Sequence, residues 1–424
     1  LPKLLGDADE SVREEALSAM SAMRTPILLE PLLDAIDSPD TGHAATTALV
    51  RIGREVVEPR ILARLNAPMG VSIRHRIRLI RVAELLRSVA SVTGQLDSSD
   101  EQVRDAAVGA LWRLARNVDG TKLVEREAIV GQALTDITEL VRLAQVDSLL
   151  KDREGDKLAF LRHEVALRRS RGERRVFRLL GLIYGRHNLH RAYTHCRSEF
   201  ARTRSNAIEL LENAIRDRAL MNLVAYVEAS EFKGDKTYTK PGSKVQLDDA
   251  TASFEDPLLH LLPTIDQRLS TLYRWALLPS KTTTPEDPMN RVFLLHSIPL
   301  FSSTPADQLL AISQICQEAH YAAGEVVFGP GEPATFLYLI EKGRIEILRD
   351  SRPVTSFGPS ECFGELAILD DASRNVTARA VEDTDCLIIS REDFQGLLAI
   401  SPDLSRGTIA TLTRRLRSML QQMR

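Results

Sequence analysis

The chain has 424 residues, of which 44% are hydrophobic and 27% are charged. A chain of this length and composition can bury two or three cores, which excludes an intrinsically disordered protein. Its net charge of -3 excludes bulk attraction to nucleic acid as the main function, although it allows local basic patches.

Cysteine spacing and hydrophobic runs predict the compartment of the chain. The four cysteines have no CxxC spacing and are Cys196, Cys316, Cys362 and Cys386. This pattern favours reduced thiols over disulfides. No apolar run reaches the ~18 residues of a membrane span, and no secretory signal opens the chain. These features predict a cytoplasmic chain. Because Leu1 already lies in a helical pattern, we expect the chain to be a fragment of a longer protein, which allows a preceding membrane domain and a location on the cytoplasmic face of an inner membrane.

Residues 1–230 are predicted to be helical, because apolar residues recur at intervals of three and four and strand signals are almost absent. Two segments match at a constant offset: Leu5, Asp9, Val12, Arg13 and Ala16 correspond to Leu96, Asp100, Val103, Arg104 and Ala107. In each copy an acidic residue can cap a helix whose Val and Ala pack inward. The pattern resembles HEAT-type repeats and predicts an α-solenoid.

The stretch from residue 151 to 218 is basic, with 17 lysines and arginines against nine acidic residues. Such a charge suits anionic lipid, nucleic acid or an acidic protein, but a solvated helix face is the commoner outcome. Within it, His187 and His190 share a helical face while His195 lies off it, so we predict no metal site. No nucleophile, base and orienting group form a recognisable arrangement in the chain, so we expect no enzyme and no catalytic residues.

Residues 231–290 are predicted to form a loop, a helix and a linker. Residues 231–257 have loop composition, and an apolar pattern over 258–278 predicts a helix. The proline-rich segment 279–288 then breaks the periodicity and marks a domain boundary.

Residues 291–424 have a different pattern, in which short β-type runs alternate with Gly and Pro turns. The runs span residues 325–328, 336–340, 344–348 and 386–389. Their even spacing predicts a β jelly roll. An apolar stripe over 403–423 predicts a final helix that can lie across the barrel. The chain is therefore expected to be a multidomain α plus β protein, with an α-solenoid followed by a jelly roll with flanking helices.

Residues 363–376, which we call the cassette, contain the candidate binding site. Gly364 opens a turn before a short helix, so backbone N–H groups can face an anion, and Arg374 adds a positive charge. A buried carboxylate beside an anion needs a donor, so Glu365 is expected to accept from a hydroxyl group of the same ligand. A cyclic nucleotide offers both a cyclic phosphate and a ribose 2′-hydroxyl.

Residues 291–424 resemble a cyclic nucleotide-binding domain, since further motifs occur in the right order at 323–328, 331–334, 338–343 and 391–394. The resemblance implies that Glu365 binds the ribose hydroxyl and Arg374 the cyclic phosphate. It also implies that the amides of Leu366 and Ala367 complete a phosphate cradle, and that the final helix closes over the base.

Two residues depart from the pattern of this family, which has Ser, Thr or Ala after the arginine and then a small Ala. Asn375 and Val376 occupy these positions. Val376 adds two methyl groups near the phosphate, and such overpacking can cost about 1–3 kcal/mol. Asn375 can donate to the phosphate or the purine. We expect cAMP as the ligand, with cGMP open, because the hydroxyl associated with cGMP preference is absent; no cofactor is expected.

Helical repeats joined to such a domain are similar to the cytoplasmic region of bacterial transporters related to the ATP/ADP translocases. The motifs at 175–184 and 206–211 suggest this resemblance. This implies a regulatory region that signals to a protein partner or an attached membrane domain. The alternative is a constitutive scaffold with an empty cassette. A transcription regulator needs a DNA-binding helix-turn-helix, and none follows the barrel before Arg424, so no DNA partner is expected.

Overall fold

The computed structural model describes residues 4, 7, 9–23, 26–37, 41–67, 71–117, 120–198, 200–215, 217, 220–230, 256–277, 288–302, 304–369 and 373–422. They form two compact units. Unit 1 comprises 1–149 and 168–261, and unit 2 comprises 150–167 and 262–424. The predicted loop and linker lie mostly outside the described residues, and the domain limits 1–230, 231–290 and 291–424 stay a prediction.

The N-terminal part of the chain is helical, as predicted. Its helices are α1 Glu10–Met23, α2 Pro26–Ala35, α3 Gly42–Ile52, α4 Arg54–Leu65, α5 Ile73–Leu85, α6 Val89–Thr93, α7 Glu101–Leu114, α8 Arg126–Leu150, α9 Asp156–Tyr184, α10 Arg186–Cys196, α11 Ala201–Ala214, α12 Met221–Ser230 and α13 Pro257–Leu261. Asp100 caps α7 by accepting from the amides of Gln102 and Val103. Val103 and Ala107 are fully buried, so the inward face of this copy is confirmed. The stacking of the helices as HEAT repeats stays a prediction.

A buried ionic cluster joins α7, α8 and α9 within unit 1. The Nε of Arg175 donates to Asp136 Oδ2 at 2.8 Å, and its Nη1 donates to Asp105 Oδ1 at 2.9 Å. Glu101 lies 3.5 Å from the same Nη1. Burial opposes the charge of Arg175, but these carboxylates outweigh it and raise the pKa of the guanidinium. The packing of the three helices therefore depends on charge as well as apolar area.

The helix predicted over 258–278 is interrupted, so that prediction is wrong in its bounds. Helix α13 ends at Leu261, a 3-10 turn spans Leu262–Thr264, and α14 begins at Gln267. Pro263 has no N–H and disfavours helical conformation in the residue before it. Asp266 then accepts from Arg268 N at 2.6 Å, which starts the next helix.

Unit 2 contains an eight-stranded β domain with flanking helices. The helices after α13 are α14 Gln267–Leu277, α15 Pro288–Ser297, α16 Ala306–Ile315, α17 Glu365–Leu369, α18 Arg391–Ile400 and α19 Pro402–Gln422. The strands are β1 Gln317–Tyr321, β2 Val326–Phe328, β3 Phe336–Lys342, β4 Ile345–Arg349, β5 Arg352–Phe357, β6 Cys362–Phe363, β7 Thr377–Ala380 and β8 Thr384–Ser390. They form antiparallel sheets in the orders β1-β8-β3-β6 and β2-β7-β4-β5, the arrangement of a jelly roll. The predicted C-terminal β domain is thus confirmed.

The final helix is present, but its apolar stripe is only partly covered. Leu404 is buried, whereas Ile409 and Leu416 are exposed. Gly407 lies against the turn after α15, because a Cβ there would be 2.5 Å from the carbonyl oxygen of Leu300. The closure of α19 over a ligand stays a prediction.

The first turns of α9 belong to unit 2 and anchor the helices that precede the barrel. Phe160 and His163 lie on the same face of α9, and their ring centroids are 4.4 and 4.8 Å from that of His296 on α15. Glu164 follows on this face, and its Oε1 accepts from Ala306 N at 2.9 Å, which caps the first turn of α16. One helix face therefore holds both α15 and α16.

We expect unit 2 to lose stability as the pH falls from 6.5 towards 4. Burial, reinforced by His163, lowers the pKa of His296 to about 4 from 6.5. The unfolded chain takes up this proton at a higher pH than the folded chain, so stability is full above pH 6.5 and declines below it. The loss is on the order of 1–2 kcal/mol, since solvent screens a half-buried ring.

Urea unfolding followed by Trp275 fluorescence in a Trp112→Phe background measures this loss in unit 2. His296→Phe should flatten the decline, whereas the control His187→Phe, at an exposed histidine, should not. An equal pH dependence in both variants would contradict the assignment to His296.

Candidate functional site

The candidate site lies on the connection between β6 and β7. Gly364 follows β6 with a φ of +87°, a left-handed conformation that favours glycine. A Cβ at this position would be 2.9 Å from Nη1 of Arg374 and 3.3 Å from the carbonyl oxygen of Phe336. Any larger residue would therefore displace the arginine as well as strain the turn.

Arg374 lies near the end of the cassette and is only 5% exposed. Its Nη1 donates to the carbonyl oxygen of Gly364 at 2.8 Å, and its Nη2 donates to that of Phe336 at 2.6 Å. Its Nε is buried and has no hydrogen-bond partner among the described residues. A buried donor without an acceptor is costly, so an anionic oxygen is a favourable partner for this edge of the guanidinium.

The predicted carboxylate is buried in the same cassette. Glu365 begins α17 and is 2% exposed. Burial lowers the pKa of the Arg374 guanidinium, and Glu365 and Glu332 oppose this shift. The structure thus brings the two predicted charges close enough to influence each other, away from bulk water.

The turn after β2 fixes the backbone of Arg374. Its N–H donates to the carbonyl oxygen of Glu332 at 2.9 Å, and its own carbonyl oxygen accepts from Gly331 N at 2.8 Å. The sequence marks residues 331–334 as a motif of the family, and the structure gives part of this motif a function. The two hydrogen bonds of this motif fix the backbone of Arg374 shortly before β7 begins at Thr377.

The other predicted residues of the cassette are distributed between surface and core. Leu366 is 59% exposed, and the side chain of Ala367 lies outside the described residues. Asn375 is exposed, whereas Val376 is half-buried and packs against the aromatic core of the barrel. The amide roles of Leu366 and Ala367 and the ligand contacts of Asn375 and Val376 stay predictions.

Sequence reasoning missed an aromatic contribution to the site. The Cζ of Arg374 lies 4.2 Å from the ring centroid of Phe328 and 5.9 Å from that of Tyr338. In the sequence, Phe328 ends both a predicted strand and the family motif at 323–328, and an apolar residue at the end of a strand indicates core packing. A further signal is that β2 ends three residues before the motif that positions Arg374.

Other kinds of site find little support in the part of the chain that the structure describes. There, no three His, Cys, Asp or Glu side chains group as a metal site requires. All four cysteines are free thiols. Across the same residues, no helix combines the length and the hydropathy that crossing a bilayer demands.

Comparison with known proteins identifies the domain that carries the cassette. Residues 318–401 match the cyclic nucleotide-binding domain family. The chain is 35% identical over 125 residues to the cyclic AMP receptor protein of Thermus thermophilus, which covers 28% of this chain and 57% of that protein. It is 31% identical over 123 residues to a CRP-like cAMP-activated global transcriptional regulator of Mycobacterium tuberculosis, covering 28% and 55% of the two chains.

A third relative is the cAMP-dependent protein kinase regulatory subunit of Eremothecium gossypii, 32% identical over 101 residues, with 23% of this chain and 22% of that protein covered. The chain thus spans about half, or less, of the length of these relatives. Residues 318–401 therefore carry a cyclic nucleotide-binding domain, as the resemblance of residues 291–424 implies.

Proposed function

We propose that this chain is a non-catalytic regulatory protein whose C-terminal domain binds cAMP and signals through its N-terminal helices. The observation that carries the proposal is the buried Arg374, whose Nε has no partner among the described residues. A cyclic phosphate supplies an acceptor for this Nε, and a ribose 2′-hydroxyl supplies a donor for the buried Glu365. The names of the relatives support cAMP, and cGMP is the alternative ligand.

Helix α9 supports a route for the signal. Its residues up to Leu167 belong to unit 2, and its remaining residues belong to unit 1. Within unit 2 its face of Phe160, His163 and Glu164 holds α15 and α16. A ligand that favours one position of α15 and α16 would therefore also favour the position of α9 that packs with it. The proposed recipient is a protein partner or an attached transporter-like membrane domain rather than DNA.

The proposal is tested by titrating the wild type and Glu365→Gln with cAMP and 2′-deoxy-cAMP in a calorimeter. The wild type should bind 2′-deoxy-cAMP about 10- to 100-fold more weakly, because a hydrogen bond to a charged group is lost. Glu365→Gln should discriminate much less. Glu382→Gln, at an exposed carboxylate, should behave as the wild type. Equal discrimination by the wild type and Glu365→Gln would contradict the ribose contact.

A protein-interaction scaffold with an unused cassette is the second candidate function. Its support is that the carbonyl oxygens of Gly364 and Phe336 already bind both Nη atoms of Arg374. A scaffold predicts no heat with cAMP or cGMP at millimolar concentration, so the same calorimeter separates the two functions.

A further inference from the structure

A group of aromatic rings fills the barrel interior next to the cassette. The rings of Tyr338 and Phe363 are stacked, with centroids 4.8 Å apart and an interplanar angle of 11°. Phe328 packs against both, at 5.7 Å from Tyr338 and 6.0 Å from Phe363. All three rings are buried. Because each ring is held by the other two, Phe328 has little freedom to turn away.

The guanidinium of Arg374 rests on this group. Its Cζ is 4.2 Å from the Phe328 centroid, well inside the ~6 Å at which a cation is attracted by the face of a ring. The site is buried, so this attraction is stronger than at a surface. The two Nη atoms meanwhile donate to Gly364 and Phe336. Three contacts thus determine both the plane of the guanidinium and its rotation within that plane.

We infer that Phe328 is a positioning residue for the ligand, acting through a cation–π contact that holds Arg374 ready for an anion. This inference explains how the proposed site holds its ligand, and it rests on the proposed function. Without the ring, Arg374 keeps its charge but samples more rotamers, and binding must then order the side chain. The Nε edge, which lacks a partner among the described residues, is the edge that this arrangement leaves for a ligand oxygen.

A purely structural role for Phe328 makes a different prediction from a cation–π role. As a core residue, Phe328 matters through its volume and would tolerate any change that keeps its shape. As a partner for the guanidinium, it matters through the negative potential of its ring face. Fluorine atoms on the ring reduce this potential while changing its size very little. Arginine and the ring are also matched in shape, since a planar guanidinium stacks where an ammonium does not.

The test incorporates mono-, di- and trifluorophenylalanine at position 328 of the full chain and measures cAMP affinity by calorimetry. Affinity should fall stepwise with each fluorine, and Phe328→Leu should lose about 10- to 30-fold. The same series at Phe357, which lies outside the cassette and stacks on Phe363 in the same group at a centroid distance of 6.2 Å, is the matched control and should leave affinity nearly unchanged. Equal effects at the two positions, or no trend at 328, would overturn the inference.

A second readout needs no ligand and so separates this inference from the proposed function. In the ligand-free protein, the ring current of Phe328 should shift the Nε–H resonance of Arg374, which is assigned by its absence in Arg374→Lys. Phe328→Leu should move that resonance towards the value of an unstacked arginine. If cAMP does not bind but the resonance moves, the proposed function fails while the contact stands. If the resonance does not move, the contact itself is refuted.

Discussion

Arg374→Leu is expected to weaken cAMP binding by about 30- to 3,000-fold, which removes ligand-induced stabilisation at ordinary ligand concentrations. The substitution deletes the positive charge that faces the phosphate. It also leaves the carbonyl oxygens of Gly364 and Phe336 without the donors that hold them at 2.8 and 2.6 Å. The missing charge acts on the bound state, because the phosphate then enters a buried site without a counter-charge, whereas the missing donors also affect the ligand-free fold.

Thermal melts with and without cAMP measure this effect, and the melt without ligand reports any loss of folding. Arg379→Leu is the matched control, because Arg379 lies on β7 and pairs with Glu346 while 45% of its side chain is exposed. The control should keep the full ligand-induced shift. A folded Arg374→Leu protein with an unchanged shift would place the phosphate elsewhere.

Arg175→Met is expected to destabilise unit 1 by about 3–5 kcal/mol, the usual result of removing one partner from a buried ionic cluster. Asp136 has no exposed surface, and its Oδ2 would lose the 2.8 Å hydrogen bond from Arg175. Asp105 and Glu101 would face each other without the cation that separates them. Methionine can fill the volume but cannot compensate these charges.

Urea unfolding followed by Trp112 fluorescence in a Trp275→Phe background gives the free energy of unfolding of unit 1. Arg191→Met, at an exposed position of α10, is the control and should change it by less than about 0.5 kcal/mol. A loss below about 1 kcal/mol in Arg175→Met would show that the carboxylates find other partners.

The cassette was predictable because its chemistry is local. Gly364, Glu365 and Arg374 are residue types that a phosphate and a hydroxyl require, and the structure buries both charges next to the turn that Gly364 makes. The ring of Phe328 was not predictable as part of the site, because an apolar residue in a strand is expected in the core of any barrel. Only its position relative to Arg374 distinguishes it.

Elements without a clear hydrophobic pattern were also missed. Strand β5 is exposed along nearly its whole length, so it has no buried face for a pattern to mark. Strand β6 has two residues, too few for any periodicity. Conversely, the apolar pattern over 258–278 predicts one continuous helix, although the structure has a break at Pro263. The placement of residues 150–167 with the barrel depends on long-range contacts of Phe160, His163 and Glu164, which no local pattern contains.

Calorimetric titration of the intact chain with cAMP, alongside cGMP and linear 5′-AMP, tests the central claim most directly. We expect one cAMP bound per chain, with weaker heat from cGMP and none from 5′-AMP at the same concentration. The absence of heat from both cyclic nucleotides at millimolar concentration would contradict the sensor and leave the scaffold as the function of this chain.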